Sequence, residues 1–351
     1  MTAQAHEPLI GPCAWTGTDV VAGRRWTFTL GGKELEEIDT ALAAACDSPW
    51  HDMTAADFPL PGLSETLGRI AAELEHGSGL AKLTGLPVER FTQAGLRRLW
   101  YGLGLALGTP VYQDCNGLLM RDITDKAEDT DARLGHRLTA RDGSTFKSSK
   151  ARTLSNKELR FHTDRCDVVG LLCVRQAARG GVSRLASSVA VHNLMLARRP
   201  DLLEALYQPV PRSRLGEERG GEAMIYELPV MGHRDGKFTS HYSRTYIEAA
   251  DETGGGSRIT EAQWQAIDLL HEIAEEISFE MILEPGDIQF VNNHVVYHAR
   301  TAYEDTGKPG QERLLHRLWL AMPNSRPLPP DHAVLWGNTD AGALRGGIGQ
   351  G

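Results

Sequence analysis

The segment Phe161-His162-Thr163-Asp164 carries two side chains that can hold a metal ion. In extended backbone successive side chains alternate between faces, so residues two apart point the same way. His162 and Asp164 can then offer an imidazole nitrogen and a carboxylate oxygen to one ion. The pair alone says little, because His-x-Asp recurs in unrelated chains as a surface or structural pair. A third ligand must come from a distant segment. Gly286 to Thr301, GDIQFVNNHVVYHART, supplies two candidates, His294 and His298. Two nitrogens and one carboxylate leave three positions open on an octahedral ion. That suits iron(II) binding a bidentate partner and a diatomic gas together. Zinc favours a closed tetrahedron or one open site.

Arg313 and Arg317 lie in the run ERLLHRLWL. In a strand they share a face, separated by roughly 13 Å at about 3.3 Å per residue. Trp319 points the same way, and Leu314, Leu318 and Leu320 point the other. Two cations on one strand face are costly to bury without anions, so a solvent-facing pair on an edge strand is the plain alternative. The chemical reading is a fork for a dicarboxylate. A 2-oxoglutarate molecule would chelate iron through its keto oxygen and near carboxylate, leaving its far carboxylate to a planar guanidinium such as that of Arg313.

Local patterns predict the elements that must carry these residues. Lys33 to Cys46 has Leu35, Ile38 and Leu42 at helical spacing. Ser64 is placed to cap a second helix bearing Leu67, Ile70, Ala71 and Leu74 and stopping at Gly77. Gly79 to Val88 reads as a short strand and turn, and Thr92 to Leu107 as a helix ended by Gly108 and Pro110. Val168 to Val174 is a continuous apolar run and predicts a buried strand. Gly180 and Gly181 mark a turn, and a helix starts at Val189 and ends before Pro200. Phe238 to Ile247 alternates like a strand, which would put Tyr242, Arg244 and Tyr246 on one face. Thr260 and Gln263 form a capping box for a helix to Ile277. Two strands, Phe279 to Leu283 and Ile288 to Val291, flank the turn EPGD, and Leu314 to Met322 is the last strong strand. The predicted class is mainly β with flanking helices, a distorted double-stranded β-helix or jelly roll. All 351 residues are read as one catalytic domain. Residues 1–110 form an N-terminal helical and extended flank, and 159–322 the jelly-roll region with the metal site. Residues 121–158, polar and poor in large apolar side chains, read as a lid or flexible loop.

Composition sets outer bounds. The chain has 351 residues, 41% of them hydrophobic and 24% charged, an ordinary globular balance. It has no apolar run long enough for a membrane span and no signal-peptide pattern at MTAQAHEPLI, so a cytoplasmic enzyme is expected. The net charge of −9 and the lack of a basic cluster argue against nucleic acid as a partner. Cys13, Cys46, Cys115, Cys166 and Cys173 are odd in number and contain no CxxC pair, which disfavours a disulfide framework or a thiolate zinc site. Cys166 lies close enough to the proposed metal to be exposed to oxidation.

The run FHTD, then GGVS at Gly180 to Ser183, then GDIQFVNNHVVYHART, then RLLHRLWL resembles the taurine dioxygenase and clavaminate synthase-like family of iron(II)- and 2-oxoglutarate-dependent oxygenases. The resemblance spans roughly Gly79 to Met322, with four motifs in family order. It implies His162, Asp164 and His298 as iron ligands, His298 being preferred over His294 because Ala299 and Arg300 follow it. It implies Arg313 as the grip on the far carboxylate of 2-oxoglutarate. Ser183 stands where the family often has a threonine hydroxyl bonding that carboxylate. Arg317 matches a position that meets the substrate's anionic group in some members. Related halogenases have Ala or Gly where Asp164 stands, so halogenation is disfavoured. The implied reaction consumes O2 and 2-oxoglutarate, releases succinate and CO2, and hydroxylates a small polar substrate expected to bear a carboxylate. Candidate substrate contacts are Arg317, Tyr112, Gln113, Asn116 and Arg244. His294 and His316 are expected to be structural, and His192, His241 and His271 receive no role. A zinc hydrolase on the same ligands would need a general-base glutamate, for which Glu158 is nearest, and would leave Arg313 and Ser183 without a role. A non-catalytic module on this fold would usually have lost a ligand, and none is missing.

Overall fold

A computed structural model describes residues 7–45, 49–126, 137–139, 145–147, 153–215, 217–218 and 221–349. Much of the expected lid, residues 127–136, 140–144 and 148–152, lies outside the described residues, as does Cys46. The helices are α1 Gly17–Gly23, α2 Gly32–Ala44, α3 Ser64–His76, α4 Gln93–Leu107, α5 Ser188–Arg198, α6 Pro200–Leu206, α7 Arg244–Thr253, α8 Glu261–Ile277 and α9 Ala333–Trp336. Counting only the two main sheets, the strands are β1 Thr27–Thr29, β2 Leu80–Thr84, β3 Thr109–Pro110, β4 Met120–Ile123, β5 Leu159–His162, β6 Val168–Arg175, β7 Ser183–Ser187, β8 Phe279–Met281, β9 Ile288–Asn292, β10 Val296–Arg300 and β11 Leu314–Ala321.

The larger sheet runs β1-β2-β9-β6-β11-β3, with β4 also paired to β11. All its pairings but β1 with β2 are antiparallel. The smaller sheet runs β8-β7-β10-β5 and is antiparallel throughout. Alternation along β11 explains how the layers meet. Leu314, Leu318 and Leu320 pack outward with Leu99, Trp100 and Leu103 of α4, while Leu315 and Trp319 turn toward the core shared with Leu185 and Ala299 of the smaller sheet. Helices α5, α6 and α8 pack together beyond the smaller sheet. The capping box of α8 forms as read, with Thr260 N donating to Gln263 Oε1 at 3.0 Å and Gln263 N to Thr260 Oγ1 at 3.2 Å.

Some elements differ from the sequence reading. Ser64 is the first residue of α3 rather than its cap, and its hydroxyl donates to Pro61 O. Residues 1–110 are more than a flank, because β1, β2 and β3 join the larger sheet. The strand expected from Phe238 to Ile247 stops early: Lys237–Ser240 pairs with Met231–Arg234, and α7 begins at Arg244. The alternation of Tyr242, Arg244 and Tyr246 matched a period of two by chance. Ile247 and Ala250 are both buried, three apart, and Arg244 pairs with Glu248 one turn on at 2.8 Å, which favours helix.

Buried histidines make the fold acid-sensitive. His294 lies between Thr239 Oγ1 at 2.9 Å and Asp167 Oδ1 at 2.8 Å, and burial pushes its pKa down to about 4 despite that carboxylate. Burial also lowers His233, to about 4. Below pH 6.5 the unfolded chain takes up protons at these positions and the folded chain does not, so stability falls as pH drops toward 4. Calorimetry of the metal-free protein should show Tm falling steadily between pH 6.5 and 4.5; a flat Tm across that interval contradicts the neutral burial.

Candidate active site

The ladder between β5 and β10 sets His162 directly opposite His298, with a register shift just beyond. Their rings lie 4.2 Å apart between centroids. Asp164 follows two residues after His162, with Oδ1 3.8 Å from His162 Nε2 and Oδ2 3.6 Å from His298 Nε2. The three donor atoms all lie within 4.8 Å of one another. His294, the rejected alternative, is tied to Thr239 and Asp167 instead, and His316 to Asp122 at 2.8 Å.

The surroundings prepare these atoms for a cation. His162 Nδ1 sits 2.9 Å from Arg160 O, and a carbonyl can only accept, so Nδ1 carries the hydrogen and Nε2 keeps its lone pair. Burial, then the His298 ring, pushes the His162 pKa down to about 3, which keeps that lone pair free of a proton. Burial alone would favour a protonated Asp164, but Arg317 and His298 outweigh it and hold the carboxyl below its usual range. The Asp164 backbone N–H donates to Asn293 Oδ1 at 2.9 Å, and Trp319 Nε1–H donates to Asp164 Oδ2 at 3.1 Å. A buried two-nitrogen, one-carboxylate set with open space on either side fits iron(II). Trp319→Phe removes the Oδ2 hydrogen bond, keeps an aromatic ring beneath Arg317, and should weaken divalent-metal affinity by about 10–100-fold. Competition against a fluorescent chelator reads this directly, and unchanged affinity would show that the indole has no hold on the ligand.

Two cavities meet at this triad. The inner one lies between the sheets and is walled by the triad with Ser183, Arg313 and Arg317. Both arginines are buried, and β11 is paired on both sides, so the solvent-facing edge-strand alternative does not hold. Arg313 is 2% exposed. Its Nε lies 3.3 Å from Gln176 Oε1 and its Nη2 3.5 Å from Gly181 O, while Nη1 has no partner among the described residues. A buried guanidinium donor without an acceptor is costly and marks a place for an anion. Gly181 permits this packing: its φ is +67° and a Cβ there would lie 2.8 Å from Arg313 Nε.

The outer cavity shares His162, Asp164 and Arg317 and opens away from Arg313. Gln113 lines it and positions Arg317, accepting from its Nε at 2.7 Å and donating to its carbonyl at 2.8 Å. Three other candidates are corrected. Tyr112 and Asn116 are not among the lining residues; the Tyr112 carbonyl instead accepts from Ile348 N, and Asn116 N bonds Asp114. Arg244 is also absent from the wall, because α7 directs it to Glu248 and to Asp268 at 2.6 Å. Glu158, the base a hydrolase would need, lines neither cavity.

Sequence reasoning missed several wall residues. His241, given no role, lines the outer cavity with its Nδ1 3.0 Å from Thr163 Oγ1, and burial keeps it neutral. Arg121, Arg165, Arg214 and Ile348 join it, while Tyr246, expected on a strand face with Tyr242 and Arg244, reaches the wall from α7. The C-terminal segment reaches the site because Arg345 is buried against Asp167 at 2.8 Å, Gly347 N donates to Arg165 O, and Ile348 N to Tyr112 O. The only available sequence signal was weak: Arg165 adjoins Asp164, and Arg121 opens the polar stretch.

Comparison with known proteins agrees with this geometry. The family described as "Taurine catabolism dioxygenase TauD, TfdA family" matches residues 44–319. The chain is 31% identical over 330 residues to FR-33289 synthase of Streptomyces rubellomurinus, covering 92% of this chain and 93% of that protein. Among solved structures, asparagine oxygenase in complex with Fe(II), 3-hydroxyasparagine and succinate superposes with a TM-score of 0.60 at 16% identity, covering 91% of this chain and all of that one. The non-heme iron oxygenase OrfP with Fe and alpha-ketoglutaric acid gives 0.58 at 16% identity, over 84% and 93% of the two chains.

Proposed function

The chain belongs to the TauD/TfdA dioxygenase family, and from that membership we propose how its own residues divide the work of an iron(II)- and 2-oxoglutarate-dependent hydroxylation. His162, Asp164 and His298 hold iron. Arg313, assisted by the Ser183 hydroxyl, takes the far carboxylate of 2-oxoglutarate in the inner cavity. Arg317 and Gln113 face the substrate in the outer cavity. The substrate is a small polar metabolite bearing an anionic group. The single observation carrying this division is that the triad stands at the junction of two cavities, one of which ends on the buried Arg313 guanidinium, whose Nη1 lacks an acceptor among the described residues.

Held by His162, Asp164 and His298, iron(II) together with 2-oxoglutarate and O2 would supply the oxidising power to hydroxylate an unactivated carbon, with succinate and CO2 released. The protein's share is positioning and exclusion of water. Arg160 O keeps His162 in its metal-binding tautomer. Trp319 fixes one oxygen of Asp164. The Gln113 clamp holds the Arg317 guanidinium on the outer-cavity wall beside Asp164, with Nη1 3.7 Å from Oδ1. The two facing antiparallel sheets support the distorted double-stranded β-helix reading, as one catalytic domain. Among the described residues no helix is long and apolar enough to cross a membrane, and the described cysteines are all free, which supports a cytoplasmic setting.

Anaerobic addition of iron(II) and 2-oxoglutarate tests the division. It should produce a weak visible charge-transfer band, and a screen of small anionic metabolites should find one that stimulates succinate release. Absence of the band in the wild-type protein would refute it.

A further inference from the structure

Resting on the division above, we propose that the outer cavity receives a phosphoryl dianion, a phosphate monoester or a phosphonate, on Arg121, Arg214 and Arg317. Among the described residues four arginines line that cavity, Arg121, Arg165, Arg214 and Arg317, with two carboxylates, Asp164 and Glu217; Glu222, outside the wall, lies 3.5 Å from Arg165 and 3.6 Å from Arg214 Nε. Asp164 is committed to the metal. Arg121 and Arg317 are direct cross-strand partners on β4 and β11, both less than 10% exposed. Such partners have Cβ atoms about 5 Å apart, and like charges so placed repel. Asp114 answers Arg121 at 2.7 Å; no other carboxylate is paired with Arg317 among the described residues.

Arg214 approaches from another element, just past the strand Val210–Ser213. It is 6% exposed. Its Nε donates to Ala223 O at 3.0 Å and its Nη2 to Val334 O at 2.9 Å, while Nη1 is buried without an acceptor among the described residues. The Tyr246 hydroxyl on the same wall stays protonated through burial and adds a neutral donor.

Geometry separates the anion classes. A carboxylate presents two oxygens in one plane and is satisfied by a single fork, the arrangement around Arg313. Guanidiniums borne by the sheet and by a separate loop approach from different elements, which suits a planar carboxylate less well than a tetrahedral anion. A tetrahedral group offers three oxygens in three directions, and a phosphate monoester carries nearly two charges at neutral pH, with a second pKa of about 6. That charge offsets the repulsion between Arg121 and Arg317 and leaves an acceptor for Arg214.

The test is calorimetric titration of the full chain, loaded anaerobically with iron(II) and 2-oxoglutarate, with methyl phosphate, methylphosphonate, methanesulfonate and acetate at constant ionic strength. Both phosphoryl probes should bind at least about tenfold more tightly than acetate or methanesulfonate, and gain affinity between pH 6 and 8 as the second proton leaves. Their relative order distinguishes the ester from the phosphonate as source. Arg121→Met and Arg214→Met should each weaken phosphoryl binding about tenfold, with the charge-transfer band intact as proof of folding and cosubstrate binding. Arg214→Lys should recover part of the loss. Acetate binding as tightly as the phosphoryl probes, or variants that lose nothing, overturns the proposal. A wild-type protein without the band would instead indict the cofactor reading.

Discussion

His162→Ala, Asp164→Ala and His298→Ala should each lower turnover by on the order of 10³-fold or more, because the metal supplies several kcal/mol of charge stabilisation that vanishes with a ligand. The loss should appear first in metal binding. Each variant should fail to retain iron(II) at concentrations that saturate the wild type, and the anaerobic charge-transfer band should disappear. The metal-free variants should nevertheless fold. The two imidazole rings lie 4.2 Å apart, and burial disfavours the charged form of His162, so its truncation strands no charge and opens only a small void. His294→Gln supplies the contrast. That residue belongs to the Asp167 network, so its loss should lower Tm while iron affinity is kept. A His298→Ala protein that still binds iron and turns over would refute the ligand set.

Arg313→Met should raise the KM for 2-oxoglutarate by about 10²–10³-fold, equivalent to roughly 3–4 kcal/mol for a carboxylate deprived of a buried partner. Iron affinity should not change, since Arg313 touches no metal ligand in the described contacts. Arg313→Lys should fall between, because an ammonium keeps the charge and loses the planar fork. Ser183→Ala removes one hydroxyl and should cost only about 1 kcal/mol, a few-fold in KM. A truncated cosubstrate makes the result specific. 2-Oxobutyrate lacks the far carboxylate, so it should bind the wild type poorly and Arg313→Met no worse. If the variant penalises both 2-oxo acids equally, the guanidinium has a structural role and the far carboxylate lies elsewhere.

The legibility of the site depended on distance along the chain. His162 and Asp164 were readable because two-residue spacing in extended backbone already fixes a common face. Arg313, Arg317 and Trp319 were readable together for the same reason, with Leu314, Leu318 and Leu320 on the reverse. The choice of His298 over His294 required the family resemblance, since both stand on the same segment at comparable distance from His162. Period-two reasoning failed at Tyr242, Arg244 and Tyr246, where four residues of extended chain give way to α7. There the ion pairs of Arg244 with Glu248 and Asp268 override the local alternation. Tyr112 and Asn116 failed because nearness in sequence to Gln113 does not determine which side chain a bend turns inward.

The sequence by itself determined the His162–Asp164 pair, the shared strand face of Arg313, Arg317 and Trp319 and the mainly β class, because each rests on residue types and on periodicities of two or four within one segment; His298 needed the family resemblance. Tertiary structure decided most of the outer wall beyond Gln113 and Arg317. Arg121 meets Arg317 only through the pairing of strands nearly two hundred residues apart, and Arg214, His241 and Ile348 arrive from three further segments. No local rule constrains such meetings. They follow from sheet register and from the buried Arg345–Asp167 pair that draws the C-terminal segment against the site, which is why the substrate side of this enzyme had to be read in three dimensions.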